Sequence, residues 1–254
     1  MIGFGALLTL VSIPGCRLFG AVQDVTDLLD DPITMQGWYV GVELPPGIDL
    51  DGTTLDLGAQ AQAWVQKTST SGISVVDGAK VSLMSDRFGS VSLTQDGDSW
   101  LAYGVDGLRY QEEDEIRLVV DYGGERASIR METPVGAVVD IPEEHTAGVS
   151  IRVDIRDQGF DNGGVLVYDL TPDLIPGATG LSGVVHQSEY DSQTPVDPDN
   201  LVLDVPGEVF EPGRIYGVGV LGMRASTDEE VFGLNELGSG MAAGLAVFHA
   251  VSTM

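Results

Sequence analysis

Short runs of alternating apolar and polar residues recur along the chain from Gly37 onward, each bounded by Gly, Asp, Asn or Pro. Alternation with a period of two predicts β-strands with one buried face, and helical spacing of apolar residues is hard to find. The clearest case is the pair of segments 116–122 and 125–131, which alternate on either side of Gly123-Gly124 and predict a tight β-hairpin. The other predicted strands are residues 38–44, 55–65, 80–84, 90–94, 100–103, 138–141, 149–155, 164–168, 183–187, 201–205, 214–221 and 242–251.

The strand pattern pauses at Pro142-Glu143-Glu144 and restarts with alternating apolar residues from Val149. The chain has 254 residues, and domains are commonly about 100–150 residues long, so a boundary at this pause gives two domains of ordinary size. Many short strands separated by turn residues are typical of β-sandwiches. We therefore predict an all-β fold with two tandem antiparallel, Ig-like β-sandwich domains, at residues 37–142 and 143–254.

The first sixteen residues, MIGFGALLTLVSIPGC, form an uncharged apolar run that ends at the only cysteine, Cys16. This run is shorter than the roughly 20 residues that a membrane-spanning helix needs. It resembles the signal peptide and lipobox of bacterial lipoproteins, with apolar Ile13 three positions before Cys16 and small Gly15 directly before it. The resemblance implies a signal peptide at residues 1–15, lipid attachment at Cys16 and an acidic tether at residues 16–36.

The segment departs from the lipoprotein pattern in two ways. Residues 1–5 contain no Lys or Arg, and Pro14 is not the usual small residue. The alternative interpretation is an ordinary buried segment with an incidental thiol. Under the lipoprotein interpretation, Arg17 stands where an inner-membrane retention signal has Asp. The resemblance then implies the cell envelope, at the outer membrane of a Gram-negative bacterium.

The chain is strongly acidic, with 39 Asp and Glu against 12 Lys and Arg and a formal net charge of -27. No broad basic surface is available to neutralise phosphates, so nucleic acid is excluded as a partner class. The same charge favours cations near the surface and keeps the molecule soluble, which also suits a salty medium.

Two segments resemble known secreted modules. Residues 79–132, which begin AKVSL, resemble carboxypeptidase-regulatory or transthyretin-like β-sandwich modules. Residues 148–168 and the EPGRIYGVGV segment at 211–220 are similar to bacterial lipoproteins of unknown function with fibronectin-like domains. These resemblances imply the fold and the envelope location, and they imply no activity.

The residue types of common catalytic sites are present without the spacing that the chemistry needs. His145, His186 and His249 lie far apart and match no zinc motif, and His249 alternates with apolar neighbours as a surface or satisfied core histidine does. Ser182 lies in a Gly-Leu-Ser-Gly-Val run that fails the nucleophile-elbow pattern, and the glycine-rich residues 238–244 are followed by too few residues for a dinucleotide site. We predict no catalytic residue and no cofactor, and a Gly/Ala-rich final strand instead.

Clustered carboxylates leave one alternative open, because calcium takes oxygen ligands from acidic loops. The run Gln111-Glu112-Glu113-Asp114-Glu115 offers paired carboxylates for glycosidase-like acid/base chemistry, but a solvated loop before a strand is the preferred interpretation. The calcium-site candidates are Asp49 with Asp51, Asp157 with Asp161 and Asn162, and Asp191 with Asp197, Asp199 and Asn200. None of them matches the EF-hand pattern, so whether a metal binds stays open.

These observations favour a non-enzymatic, lipid-anchored envelope protein that acts as a binding or spacer module for a protein, glycan or envelope polymer. The alternative is a calcium-dependent carbohydrate-binding or adhesion module that uses the loop aspartates. Trp38, Trp64 and Trp100 distinguish binding from spacing, because a binding module collects aromatic rings on one accessible face and a spacer buries them.

Overall fold

The computed structural model describes residues 33–45, 58–69, 72–155, 158–175, 183–189, 202–227, 230–234 and 239–254. Within these residues, seventeen strands form three sheets, accompanied by one short α-helix, α1 (Thr171–Leu174). The strands are β1 (Ile33–Glu43), β2 (Ala59–Ser69), β3 (Gly72–Val75), β4 (Lys80–Ser85), β5 (Gly89–Ser92), β6 (Thr94–Asp96), β7 (Ser99–Tyr103), β8 (Glu115–Tyr122), β9 (Glu125–Glu132), β10 (Glu144–His145), β11 (Ile151–Asp154), β12 (Asn162–Asp169), β13 (Gly183–Glu189), β14 (Val202–Val205), β15 (Ile215–Ala225), β16 (Val231–Phe232) and β17 (Gly240–Thr253).

The largest sheet, here called the main sheet, has ten described strands in the order β13-β12-β15-β17-β1-β2-β7-β6, with β10 beside β17 and β3 beside β2. A five-stranded sheet has the order β16-β9-β8-β4-β5, and a two-stranded sheet pairs β11 with β14. Most strand pairs are antiparallel, whereas β17 pairs in parallel with β1 and with β10. The first and last described strands therefore lie side by side in the middle of the main sheet.

Two hydrophobic cores lie on one face of the main sheet, here called the near face. The first core packs this sheet against the five-stranded sheet and includes Tyr39, Trp100 and Leu118. The second packs β12 and β15 against the two-stranded sheet. Strand β17 contributes Ala243 to the first core and Val251 to the second, and both are odd-numbered positions that share a face. Both cores have the layered packing of β-sandwiches.

The opposite face of the main sheet, here called the far face, carries a third apolar cluster. It includes Trp38, Val40, Leu166, Leu221 and Phe248, all of them buried. Leu170, which directly precedes α1, belongs to the same cluster. The main sheet is therefore apolar on both faces.

The sequence pattern predicted most strands correctly. The Gly123-Gly124 hairpin forms as β8 and β9, and both glycines have the positive φ that a two-residue turn of this kind requires, 63° and 90°. In β11 the predicted alternation appears as two buried and two exposed positions. The all-β fold class with antiparallel β-sandwich packing is confirmed.

The predicted strand at residues 138–141 is wrong. Val138 is 81% exposed, and its backbone N–H and C=O bond the side-chain amide of Gln158 instead of another strand. Within this segment Ile141 is buried in the second core and Val139 packs against it, which explains the apolar pattern without a strand.

Strand β1 begins at Ile33, four residues before the predicted start of the first domain at Gly37. Residues 33–36 pair with β2 and so lie within the main sheet, although the sequence assigned them to the acidic tether. The division between residues 142 and 143 stays a prediction about domains, and the main sheet contains strands from both sides of it.

Candidate functional site

The main sheet is interrupted beside β17. Strand β1 pairs with β17 as far as Glu43 and Val247, and β10 resumes the pairing only at Glu144 and Ser252. Among the described residues, no strand pairs with residues 248–251 on this side. The register explains where β1 stops, because the next donor of the parallel ladder is the N–H of residue 45, and Pro45 has none.

This interruption opens a cavity of about 700 Å³, here called the β17 notch. Ligand pockets typically measure roughly 300–1,000 Å³, so the cavity has the size of a binding site. The notch is lined by Glu43, Leu44, Pro45, Ile141, Glu143, Glu144, Ile215, Val247, Phe248, His249, Ala250, Val251 and Ser252.

The two faces of the sheet give the notch two different rims. The register places Glu43 and His249 on the near face, at the β1 end of the notch. On the far face the rim is mainly apolar, with Leu44, Ile215 and Phe248 in or against the third cluster, and Glu144 lies at its β10 end because it pairs with Ser252. Glutamates therefore flank the notch at both ends, and the far face between them is apolar.

Negative charge dominates the notch. Glu43, Glu143 and Glu144 are exposed, and none of them forms an ion pair with another described residue. No Lys or Arg is among the residues that line the cavity. Arg214, which lies next to Ile215 in the chain, already pairs with Asp169 at 3.3 Å and with Glu211 at 3.3 Å.

His249 adds a polar group with an open bonding position. Its Nε2 atom is buried and has no hydrogen-bond partner among the described residues. Burial lowers the pKa of His249 below its usual value, against an opposing influence from the Glu43 carboxylate. The imidazole is therefore neutral at neutral pH and can accept or donate one hydrogen bond at Nε2.

The floor and end of the notch are held in place by the backbone. The carbonyl of Glu143 accepts hydrogen bonds from the N–H of Ser252 at 2.8 Å and from its hydroxyl at 3.1 Å. His145 Nε2 lies 2.7 Å from the carbonyl oxygen of Val149, and its ring meets Phe210 edge-on at 5.1 Å. His145 is thus a structural residue at the end of the notch.

A second cavity of about 710 Å³ lies on the other side of Glu43, beside Arg109, Tyr110 and Glu112. Its polar groups are already used within the chain. Arg109 donates to the carbonyls of Gly104 and Leu108, the Tyr110 hydroxyl donates to a carbonyl at 2.8 Å, and Glu112 accepts from the N–H of Gly136 at 2.7 Å. The second cavity is therefore the weaker candidate.

The three tryptophans do not form an accessible platform. Trp100 is 1% exposed in the first core, whereas Trp38 and Trp64 lie on the far face. Trp38 is 4% exposed, and its indole N–H has no partner among the described residues. Since the rings are buried or half-buried, aromatic stacking on an exposed face does not support a glycan site here.

Most of the other candidate site residues lie outside the described part of the chain, and Asp161 has a structural role. Cys16 lies outside the described residues, as do Ser182, Asp49, Asp51, Asp157, Asp191, Asp197, Asp199 and Asn200. The Asp161 carboxylate accepts the N–H of Ala225 at 2.8 Å, which fixes the end of β15. Within the described part of the chain, no group of three or more His, Cys, Asp or Glu is arranged to hold a metal. The calcium hypothesis stays a prediction.

The remaining histidine and the acidic run before β8 have local structural roles. His186 Nε2 lies 2.6 Å from the Ser188 hydroxyl. Asp114 is only 4% exposed and accepts a hydrogen bond from the Ser85 hydroxyl at 2.5 Å. Thr133 contacts the same residue, because its hydroxyl accepts the Asp114 N–H at 2.9 Å. The run before β8 is therefore an anchored loop instead of a fully solvated one.

The sequence contains one local signal for the notch. A Pro-Pro pair, Pro45-Pro46, directly follows the first strand segment, and proline ends strand pairing by removing the N–H donor. Nothing local indicated that β17 would be the neighbour left open at that point. Among the described residues, no helix has the length and hydropathy to cross a bilayer.

Comparisons with known proteins assign the chain to no family. No family model matches the chain, and no curated protein matches it. Activated α2-macroglobulin from Escherichia coli aligns at 10% identity with a TM-score of 0.26, covering 84% of this chain and 20% of that one. The chicken CNTN1 FN1–FN3 domains align at 9% identity with a TM-score of 0.20, covering 74% and 60%. The two tandem V-type regions of VCBP3, a v-region-containing chitin binding protein, align at 9% identity with a TM-score of 0.20, covering 85% and 99%. These values are too low to assign a function by similarity.

Proposed function

We propose that this chain is a non-enzymatic binding module of the bacterial cell envelope, anchored by lipid at Cys16. The anchor is supported by the sequence, in which an apolar leader ends at the sole cysteine. The binding role is supported by one structural observation, the β17 notch, where a cavity of ligand size opens onto the interior of a sheet. The proposed location is the outer membrane of a Gram-negative cell, since Arg17 follows Cys16.

The notch favours binding over a spacer role. A spacer needs only stable domains, and unpaired strand edges are a liability that proteins normally cover or shorten. Here the edge of β17 lies within the main sheet, next to three carboxylates that form no ion pair with other described residues. An edge that no described strand pairs with, beside carboxylates without an ion-pair partner in the described part of the chain, supports a partner site. The likeness of residues 79–132 to transthyretin-like modules belongs to the same proposal of a secreted protein.

The anchor is tested by mass spectrometry of the protein isolated from native membranes, with a Cys16→Ala variant as the control. We expect a mature chain that begins at a lipid-modified Cys16 and sediments with the membrane fraction. The variant should stay unprocessed or lose the lipid mass. An intact, unmodified Met1 on a protein recovered in the soluble fraction would show that the anchor proposal is wrong.

The binding role is tested in cells by photo-crosslinking. A photoreactive amino acid replaces Glu144 at the notch, and the matched control replaces Glu125, which is exposed at the turn between β8 and β9. We expect an envelope component to be crosslinked from position 144 and not from position 125. Equal labelling from both positions, or none from either, favours the spacer interpretation.

A further inference from the structure

We infer that the β17 notch takes a short extended segment of a partner protein, in which basic and apolar residues alternate and which adds as a strand to β17. This inference rests on the proposed binding function and names the chemistry of its partner. Three observations carry it: the orientation of the open edge, the glutamates at both ends of the notch and the apolar side chains of its far face.

The open edge of β17 presents backbone groups to a partner. The N–H groups of Ser252 and Met254 both bond carbonyls on the β10 side, at 2.8 and 3.0 Å. Because backbone groups alternate sides along a strand, the N–H and C=O of Ala250 point to this same side. Among the described residues no strand pairs with Ala250 there. An extended peptide can bond these groups as an added strand, which is an established mode of peptide recognition.

The charge of the rim specifies basic side chains in the partner. Glu43 lies on the near face with His249, Glu143 and Glu144 lie at the β10 end of the notch, and no Lys or Arg lines the cavity. Basic side chains at either end of a bound segment therefore meet a carboxylate. A protein of net charge -27 also attracts basic segments at long range.

The far-face rim specifies the other half of the pattern. Leu44, Ile215 and Phe248 pack in or against the third cluster on that face. Successive side chains of an added strand point to opposite faces, so every second residue meets these apolar side chains and the intervening residues lie on the face of Glu43. A free cation or a flexible basic tail would use the carboxylates alone.

The test uses the full chain without its lipid, as the Cys16→Ala protein, and a capped Lys-Val-Lys-Val-Lys peptide. Two further peptides carry N-methyl groups on alternate backbone nitrogens, one in each register. We expect the parent peptide to bind, as measured by isothermal calorimetry, and the amide exchange of Ala250 to slow. One methylated register should weaken binding about tenfold by blocking edge hydrogen bonds, and the other should bind like the parent.

Charge variants separate the notch from general attraction to an acidic protein. Glu43→Gln with Glu143→Gln should weaken binding about threefold to tenfold, because exposed ion pairs each contribute modestly. Glu125→Gln with Glu132→Gln removes the same charge from β9, where both residues are exposed, and should leave the affinity within about twofold. Equal weakening by both pairs of substitutions would contradict a site at the notch.

The outcomes distinguish this inference from the proposed function. If position 144 crosslinks an envelope component but the peptide does not bind, or binds equally in both methylated registers, strand addition is wrong and the binding role stands. If neither the crosslink nor peptide binding is found, both fail.

Discussion

At the scale of single residues, two histidines couple the fold to pH. Burial lowers the pKa of His249 and of His186, against opposing influences from Glu43 and Glu208 respectively. In the unfolded chain these imidazoles have a pKa of about 6.5. Between that pH and the lower folded-state pKa, the unfolded chain binds more protons than the folded one.

The free energy of unfolding should therefore fall as pH drops through about 6.5, and the loss should end once both histidines are protonated in the folded state. We predict that His249→Gln and His186→Gln each flatten this dependence, since glutamine does not titrate. Urea unfolding at pH 7.5 and 5.5 measures the change in the free energy of unfolding between the two pH values. Each variant is compared with the parent protein at both pH values, so the effect of carboxylate titration, which the two proteins share, cancels. Variants whose free energy of unfolding changes with pH as much as that of the parent would contradict the prediction.

Residue roles were only partly predictable from the sequence. The alternation around His249 correctly placed it in the last strand, but it gave no sign that Nε2 would be buried without a partner among the described residues. Asp114 looked like one of several solvated acids, and it is buried because Ser85 supplies a hydrogen bond from β4. The local sequence pattern shows the alternation of a strand, but it does not show which side chains of other strands will lie beside it.

At the scale of elements, the small residues of β17 let neighbouring strands come close. A Cβ added to Gly244 would lie 2.4 Å from the carbonyl oxygen of Gly222 in β15, and backbone has little room to yield. Glycine at this position is therefore required by packing, and the Gly/Ala-rich composition of β17 follows from close approach.

We predict that Gly244→Ala destabilises the protein by about 1–3 kcal/mol, as overpacking of a buried site commonly does. Gly183→Ala is the matched control, because Gly183 lies in β13 of the same sheet and its added Cβ would meet nothing within 4 Å. Thermal or urea unfolding of both variants measures the difference. Similar stability of the two would show that the β15–β17 contact relaxes more easily than we expect.

Element types were more predictable than element partners. Turn glycines and period-two alternation identified the β8–β9 hairpin and the β11 strand, since both signals are local. The parallel pairing of β1 with β17 joins opposite ends of the described chain, and no local signal specifies it. The prediction for residues 138–141 was wrong because Val139 and Ile141 pack against the second core from a loop with the same period-two spacing as a short strand.

At the scale of the whole molecule, the formal net charge of -27 means that the excess carboxylates repel one another in the folded state. Added salt screens this repulsion, because the Debye length falls from roughly 10 Å at 0.1 M to roughly 3 Å at 1 M.

We predict that the thermal unfolding midpoint rises by a few degrees between about 0.05 and 0.5 M sodium chloride. Choline chloride should produce a similar rise if general screening is responsible, and sucrose at matched osmolality controls for changes in solvation. A midpoint that falls with salt would contradict the prediction. A rise with sodium and not with choline would instead indicate a specific cation site.

The central position of β1, between β2 and β17, sets the order in which the molecule can be completed. During synthesis β1 emerges long before β17, so one edge of β1 stays unpaired until β17 has appeared. Pairings between such distant segments form slowly, and waiting edges are exposed to aggregation in the meantime. Truncating β17 would therefore leave this edge of β1 unpaired and the first sandwich with an unfilled seam.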